Sequence, residues 1–464
     1  MNTDCDLLVI GGGPGGMAAA RAGARVGART LLVQDGEIGG DCTFTGCVPS
    51  KTLIEAAHAG LDFPAAIERV HRIVGHIAAT ENADVFRREG IDVRPGRARF
   101  VGPRVLEIDG ERVRARRVVL ATGAAPLAPP IEGLDGVSPL TNETVFGLTR
   151  LPRSLAVLGG GPIGCELAQA FARLGAQVTV VDKSARLLSD EEREASAVVA
   201  DVFRRDGIDV RLGQPVVGAE QVRRRPAGVR LRLAGGDVVE VERVLVAVGR
   251  RPVTDGLDPD AGGVALDADG YICTDRHLAT TADGVYAVGD VTGRLPFTHA
   301  ADEMGRVAVA NALGRGRRRA FDAGRVPWVT FTTPEVARVG MTESEAAANG
   351  GVVAYLPMSE VDRAVTAGRT DGFVKLVAGP RRLLRRAGGG RLLGATVVAD
   401  RAGELIHEPA LAMRTGMFTG RLAQTVHAYP TWSVAIQQAA AQFFFEIGGR
   451  RAQPAVADGE SLRT

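Results

Sequence analysis

The sequence nearly does without lysine. Of 56 basic side chains among 464 residues, only Lys51, Lys183 and Lys375 are lysines, and arginine supplies the rest. A formal net charge of +2 leaves no excess of one sign, so composition argues for neither nucleic acid nor a membrane surface as partner. No apolar run reaches the roughly 18 residues of a membrane-spanning helix, and no basic segment leads into an apolar one near the start. The expected location is therefore cytoplasmic. Cysteine is also sparse: Cys5, Cys42, Cys47, Cys165 and Cys273 are odd in number and mostly far apart, which excludes a secreted disulfide framework. His58, His71 and His76 read as packing or surface residues, and no resident metal is expected. The arginine runs Arg317-Arg318-Arg319 and Arg381-Arg382 with Arg385-Arg386 lie near glycines and read as solvated loop faces.

A hydrophobic content of 45% in 464 residues allows several cores, and two to four domains at roughly 150 residues each. The stretch that stands out is Gly39-Gly40-Asp41-Cys42-Thr43-Phe44-Thr45-Gly46-Cys47-Val48-Pro49-Ser50-Lys51. A helix turns about 100° per residue, so side chains at i and i+5 diverge. Gly46 and Pro49 can break the helix and let Cys42 and Cys47 meet as a short, reducible disulfide. Two inert buried thiols are the alternative.

The flanking sequence decides the context. Asp6-Leu7-Leu8-Val9-Ile10 reads as a strand, Met17 to Val26 as a helix and Thr30 to Val33 as a second strand. Between the first strand and the helix stands Gly11-Gly12-Gly13-Pro14-Gly15-Gly16, a G-x-G-x-x-G loop suited to a pyrophosphate at a helix N-terminus. The acid expected at the end of the second strand, where it would bind a ribose diol, is replaced by Gln34 followed by Asp35. The arrangement recurs at Leu155 to Leu158, Gly159-Gly160-Gly161-Pro162-Ile163-Gly164 and Val178 to Asp182. Asp182 stands where a ribose-binding acid belongs and favours NADH, although Lys183 and Arg186 keep NADPH possible. Val118-Val119-Leu120-Ala121-Thr122-Gly123, Val244 to Gly249 and Gly284 to Asp290 read as apolar strands whose ends face a ligand. Residues 52–90 read as helical and 91–120 as short strands. From Val326 antiparallel strands alternate with helices near 402–415 and 431–446, and Arg450 to Thr464 reads as a loose tail.

Taken together, the two dinucleotide folds, the Cys-x4-Cys loop and the C-terminal α+β segment resemble the flavin-dependent pyridine nucleotide–disulfide oxidoreductases over about residues 4–448. The likeness points to the branch holding dihydrolipoamide dehydrogenase, glutathione reductase and mercuric reductase. It implies an α/β fold: an FAD-binding domain at 1–150 and 275–325, an NAD(P)H-binding domain at 151–274, a dimerisation domain at 326–448 and a flexible tail at 449–464. It also implies a homodimer. Gly11, Gly13, Pro14, Gly15, Gly16, Gln34, Asp35, Gly40, Thr122, Gly123 and Asp290 would contact FAD, Asp290 at the ribityl chain. Gly159, Gly161, Ile163, Gly164, Asp182, Lys183 and Gly249 would serve the nicotinamide cofactor. Cys42 would be the exchange thiol, Cys47 the thiol against the flavin ring, Lys51 the lysine near flavin N5, and Glu166 its acidic partner.

The sequence departs from the family at its C-terminal motif. His427-Ala428-Tyr429-Pro430 puts Tyr429 where disulfide reductases carry an acid–base histidine acting across the dimer, and Val434 where its glutamate belongs. A phenol titrates near 10, against about 6.5 for imidazole, and is a poor shuttle at neutrality. Mercuric reductases use tyrosine in their metal pocket but add a C-terminal cysteine pair, whereas the last cysteine here is Cys273. The expected activity is electron transfer from NAD(P)H through Cys42–Cys47 to a metal ion such as Hg(II), a quinone or a small disulfide. The alternatives are a dihydrolipoamide dehydrogenase with His427 as base, and a low-turnover flavoprotein redox sensor.

Overall fold

The computed structural model describes residues 3–222, 228–314, 316–380 and 387–457. Arg381, Arg382, Arg385 and Arg386 lie outside the described residues, while Arg317, Arg318 and Arg319 are exposed in a loop. The chain divides into two compact units, residues 1–129, 140–150 and 248–323, and residues 130–139, 151–247 and 324–464. The first unit resumes at 248, within the stretch 151–274 expected to bind NAD(P)H. This follows from Arg250–Pro252 pairing antiparallel with Ala124–Pro126, which draws that stretch into the first unit.

In the first unit, Asp92–Pro95, Thr30–Gln34, Cys5–Ile10 and Glu111–Leu120 lie side by side, and Val285–Ala287 pairs with Glu111–Leu120. All these pairings are parallel, with Ile10 opposite both Val33 and Leu120 and Ala287 also opposite Leu120. The central strands are apolar where both faces are covered, at Cys5–Ile10, Thr30–Gln34 and Val118 to Leu120. Cys5–Ile10 is buried at every position but Asp6. This register brings the carboxyl ends of the strands, and so Gly11, Gln34, Ala121 and the segment leading to Asp290, to one edge of the sheet. Ligands of open α/β sheets bind at that edge. The helical reading of 52–90 resolves into Cys47–His58, Phe63–Thr80 and Ala83–Arg88, the last two capped by Asp62 and Asn82.

The second unit repeats the theme with Asp209–Leu212, Gln177–Asp182, Ser154–Leu158 and Arg243–Val246 as a parallel sheet. Its C-terminal part is an antiparallel sheet in the order Trp328–Thr330, Glu335–Gly340, Arg391–Ala399, Phe373–Gly379, Val352–Pro357 and Gln453–Pro454. Short helices such as His407–Thr415 and Val434–Ala441 pack their alanines against it. The stretch read as a loose tail therefore begins as an edge strand, with Val352 opposite Pro454. Residues 458–464 lie outside the described residues.

Lys375 is the structural anchor of this unit. Its side chain is 1% exposed, and its Nζ lies 3.1, 2.9 and 2.9 Å from carboxylate oxygens of Glu192, Glu194 and Glu343. Glu192 also accepts the Glu343 N–H at 2.7 Å. Beside it Glu191 takes the Arg338 Nε–H and the Trp328 indole N–H. An ammonium has three N–H donors, and each meets a carboxylate. Burial holds the Glu192 carboxyl above its usual range, against the pull of Lys375. Burial opposes the charge on Lys375, yet the three carboxylates hold its pKa above the ordinary value.

Lys375→Met leaves those carboxylates without their cation and is expected to cost about 3–5 kcal/mol of stability near neutral pH. A carboxyl held above its unfolded value binds its proton more tightly when folded. Its contribution is therefore full below the unfolded pKa and is lost as pH rises through the folded one. Removing the ammonium pushes the cluster further that way, so the loss should be smaller at pH ~5 than at pH ~8. Thermal unfolding at both pH values checks the sign.

Candidate functional site

Each glycine loop joins a strand to a helix whose first residue is proline, where the missing N–H costs nothing. Gly11 holds φ +104°, and a Cβ there would stand 2.2 Å from the Ala121 carbonyl oxygen. A Cβ on Gly16 would stand 1.8 Å from the Gly11 oxygen, and one on Gly164 would stand 1.9 Å from the Gly159 oxygen. A Cβ on Gly13 or Gly161 would meet nothing within 4 Å. Each loop is thus packed tight behind and open in front, at a helix N-terminus. That is the form of an anion cradle. Pro14 and Gly15 open the first helix, and Ile163, half-exposed on the second, belongs to the same turn.

The residues that end the second strand of each sheet do matching work. Gln34 Oε1 accepts the Gly12 N–H at 2.5 Å, and Asp182 Oδ2 accepts the Gly160 N–H at 2.5 Å. Asp182 Oδ1 also takes the Ser184 N–H at 2.6 Å. Asp35 points elsewhere, into an exposed ion pair with Arg97 at 2.6 Å, and does not join the loop. Arg186 is spent on the Glu191 and Ser189 carbonyls and the Ser196 hydroxyl, while Lys183, next to Asp182 in the chain, is exposed.

The cysteine stretch folds as the short helix Gly40–Phe44, a break at Thr45-Gly46, and the helix Cys47–His58. A Cβ on Gly46 would approach the Asp41 carbonyl oxygen to 2.9 Å, so the break needs glycine. Pro49 makes no break: it sits in the first turn of the second helix, where no intrahelical N–H bond is lost. Cys42 is half-buried and Cys47 exposed. Thr298 Oγ1 donates to Cys42 Sγ at 3.1 Å and lies 3.4 Å from Cys47 Sγ. Cys47 is the first residue of its helix, where the dipole favours a thiolate, and Lys51 stands one turn on along the same face. Thr298 opens the helix Thr298–Leu313 and was not singled out in the sequence, which carries no local sign that this hydroxyl meets residues some 250 positions away.

Arg250 was missed as well. Its guanidinium lies 2.8 Å from Asp41 and 3.5 Å from Asp290, and it donates to the Ala124 carbonyl. A basic residue directly after the strand-end Gly249 is the sequence signal for it. Gly123 accepts the Val253 N–H, and Gly249 accepts the Leu127 N–H, which fixes this corner.

Comparison with known proteins agrees with this geometry. The model of the pyridine nucleotide-disulphide oxidoreductases matches residues 5–305, and that of their dimerisation domain matches residues 326–440. The chain belongs to this family. It is 37% identical to a mercuric reductase of Streptomyces lividans, over 96% of this chain and 98% of that protein. It is 36% identical to a dihydrolipoyl dehydrogenase of Thermus scotoductus, over 94% and 96%. Among solved structures, the HOCl-induced flavoprotein disulfide reductase RclA from Escherichia coli superposes with a TM-score of 0.86 at 30% identity, over 94% of this chain and 99% of that one.

Members of the family depend on FAD and use NAD(P)H. The first unit fits FAD on two observations. Its glycine loop is open only in front, and Thr122 Oγ1 and Arg250 Nε are buried polar atoms without hydrogen-bond partners. Asp290 is largely buried, and burial holds its carboxyl above the usual range, with Arg250 opposing and Asp41 adding.

The remaining candidates lie in the second unit. Glu166 is buried, and its Oε1 accepts the Phe331 N–H at 2.9 Å. Tyr429 is exposed, and its phenol donates to Asp362 at 2.9 Å, which holds it protonated beyond its ordinary range. His427 Nε2 meets Glu408 Oε2 at 3.0 Å and Nδ1 meets the Thr425 carbonyl at 2.9 Å. Both partners only accept, so the ring satisfies both as a cation. Burial opposes that charge, but Glu408 and the Thr425 carbonyl raise the pKa above its ordinary value.

The hydrogen bond that the Cys42 thiol gives to Cys47, followed by burial, pushes the Cys42 thiol far up, and the Thr298 hydroxyl works against them. Thr298→Val should therefore move the pH midpoint of Cys42 alkylation upward by roughly 0.5–1 unit, the worth of one hydrogen bond. Iodoacetamide trapping across pH, with peptide mapping to separate Cys42 from Cys47, measures it.

Proposed function

We propose that the chain is an NADH-preferring flavoprotein that reduces a thiophilic metal ion, Hg(II) or Cu(II), through Cys42 and Cys47. A quinone is the next acceptor class to test. The observation that carries this reading is Tyr429: the position that should return a proton to a leaving thiol holds a phenol tied to Asp362. A metal ion needs no such proton, and soft ions prefer thiolates. Two relatives point the same way, one being a mercuric reductase and the other RclA, which has been solved as a Cu(II) complex.

FAD, when bound, would supply the relay that carries two electrons from a nicotinamide to the thiol pair. The open face of the first loop, from Gly11 to Gly16, would hold its pyrophosphate, with Gly40, Thr122, Gly123 and Asp290 lining the site. Gln34 serves this site by fixing the loop rather than by gripping the ribose. The second loop, from Gly159 to Gly164, would hold the nicotinamide cofactor. Asp182 keeps lone pairs for ribose hydroxyls and repels a 2′-phosphate, while Arg186 is already engaged. The Cys47 helix terminus and Lys51 favour the thiolate form, and Thr298 holds both sulfurs. In each cycle the disulfide gains two electrons and two protons and becomes a dithiol, which releases the protons on reoxidation. It returns to the disulfide as one Hg(II) becomes Hg(0), or as two Cu(II) become Cu(I).

A dihydrolipoamide dehydrogenase using His427 as base is the less favoured reading, because that ring already meets two acceptors. A homodimer follows from the dimerisation domain, and the exposed Leu411, Val426, Tyr429 and Phe445 give that domain apolar surface to cover. Among the described residues no helix is long and apolar enough to cross a membrane, and no cluster of His, Cys, Asp and Glu is arranged to hold a metal ion.

Steady-state assays with NADH and NADPH against Hg(II), Cu(II), a quinone, lipoamide and glutathione disulfide test the reading. NADH should lead NADPH by about tenfold or more in kcat/KM, the scale of one adverse charge contact. Cys42→Ser should abolish metal reduction. Tyr429→His with Val434→Glu should raise lipoamide turnover, up to the ~10²–10⁴-fold that acid–base help supplies. Wild-type lipoamide turnover already at roughly 10² s⁻¹ or above would overturn the proposal.

A further inference from the structure

The charges around the cysteine loop are oddly placed for a site that would hold a pyrophosphate. Asp41 lies between Gly40 and Cys42. A Cβ on Gly40 would come to 2.9 Å from Gly13 Cα, and the Gly39 N–H bonds to the Gly12 carbonyl at 2.9 Å. The turn carrying Asp41 is therefore pressed against the first glycine loop. That puts a carboxylate beside N–H groups aimed at an anion, a wrong-sign charge for the ligand. Asp290, largely buried, is a second carboxylate in the same corner.

One side chain faces both. Arg250 is 15% exposed, reaches Asp41 Oδ2 at 2.8 Å and lies 3.5 Å from Asp290 Oδ2. It is anchored through the Ala124 carbonyl, and Tyr271 hydrogen-bonds its backbone carbonyl. The other oxygen of Asp41 takes the Thr45 hydroxyl and the Asn142 amide at 3.2 Å, and Asn142 also donates to the Thr45 carbonyl at 3.3 Å. The carboxylate is thus clamped on both oxygens, and the clamp spans the turn between Cys42 and Cys47. Arg250 Nε remains a buried donor without a hydrogen-bond partner.

We propose that Arg250 is a positioning residue that draws the Asp41 carboxylate off the first glycine loop and so permits an anionic dinucleotide to bind beside the cysteine pair. The inference rests on the FAD reading of the first unit. Its signature is non-additivity: Arg250 is needed because Asp41 is there.

The test is a double-mutant cycle on apoprotein, with FAD titrated in and flavin fluorescence read for the dissociation constant. Arg250→Met should weaken FAD by about tenfold or more, the scale of one exposed adverse charge at a binding site. Asp41→Asn should bind FAD at least as tightly as the wild type. The double variant should lie nearer the wild type than Arg250→Met. A double variant as weak as Arg250→Met, or an Asp41→Asn variant equally weak, would overturn the proposal and make Arg250 a direct ligand or a fold residue. Circular dichroism of each apoprotein separates binding from folding. Should Arg250→Met not fold, Arg250→Lys with and without Asp41→Asn decides on the same criterion. Wild-type apoprotein that takes up no FAD sinks the FAD reading itself, and this inference with it.

Discussion

The constraint on which the structure rests is the contact between Gly16 and the carbonyl of Gly11, repeated between Gly164 and Gly159. Any side chain at the later glycine would overlap that oxygen and push the helix away from the strand. With glycine there, the helix N-terminus sits directly over the strand end, and its free N–H groups open toward Gly13 or Gly161. Parallel pairing then fixes what else can reach the loop. Ile10 lies opposite Val33 and Leu120, so Gln34 and Ala121 must flank Gly11. The same logic places Asp182 against Gly160 through the pairing of Leu158 with Val181.

Two cations in partly desolvated places are each shared among several carboxylates. Lys375 is spent on three buried carboxylates between the Glu192–Glu194 segment, Glu343 and the C-terminal sheet. Arg250 is spent on Asp41 and Asp290. In each case one cation serves several carboxylates, and losing it leaves like charges facing one another in a partly desolvated place, where they cost most. Lys51, on the helix that starts with Cys47, is set where a cation favours a thiolate.

Local patterns were legible in the sequence. Two apolar strands, two glycine loops and the cysteine spacing each lie within short stretches, and their physical meaning depends on neighbours close along the chain. What escaped is what distance along the chain hides. Thr298 meets Cys42 across 256 positions and Arg250 meets Asp41 across more than two hundred, so no window contains either pair. Asp35 turns outward for a different reason. It stands one residue past the strand end, and the alternation of a strand turns it away from the loop, to Arg97. Pro49 misled because a proline in the first helical turn is compatible with the helix, and the break fell to Gly46 alone. The return to the first unit at 248 was hidden because Arg250–Pro252 is a short strand that takes its meaning only from Ala124–Pro126.

The two loops differ by one charge, and the surrounding groups account for it. At Gly160 the partner is the carboxylate of Asp182, which is answered by the Ser184 N–H and can accept ribose hydroxyls. At Gly12 the partner is the neutral amide of Gln34, which fixes the loop N–H with its oxygen while its nitrogen donates to the Asp35 carbonyl. The first loop already has Asp41 pressed against it and Asp290 in the same corner, with Arg250 as their shared cation. A carboxylate at position 34 would add a third negative charge there and raise the cost of holding a pyrophosphate. An amide keeps the loop geometry without that charge. Gln34 thus belongs to the same charge balance as the Asp41 carboxylate next to Cys42.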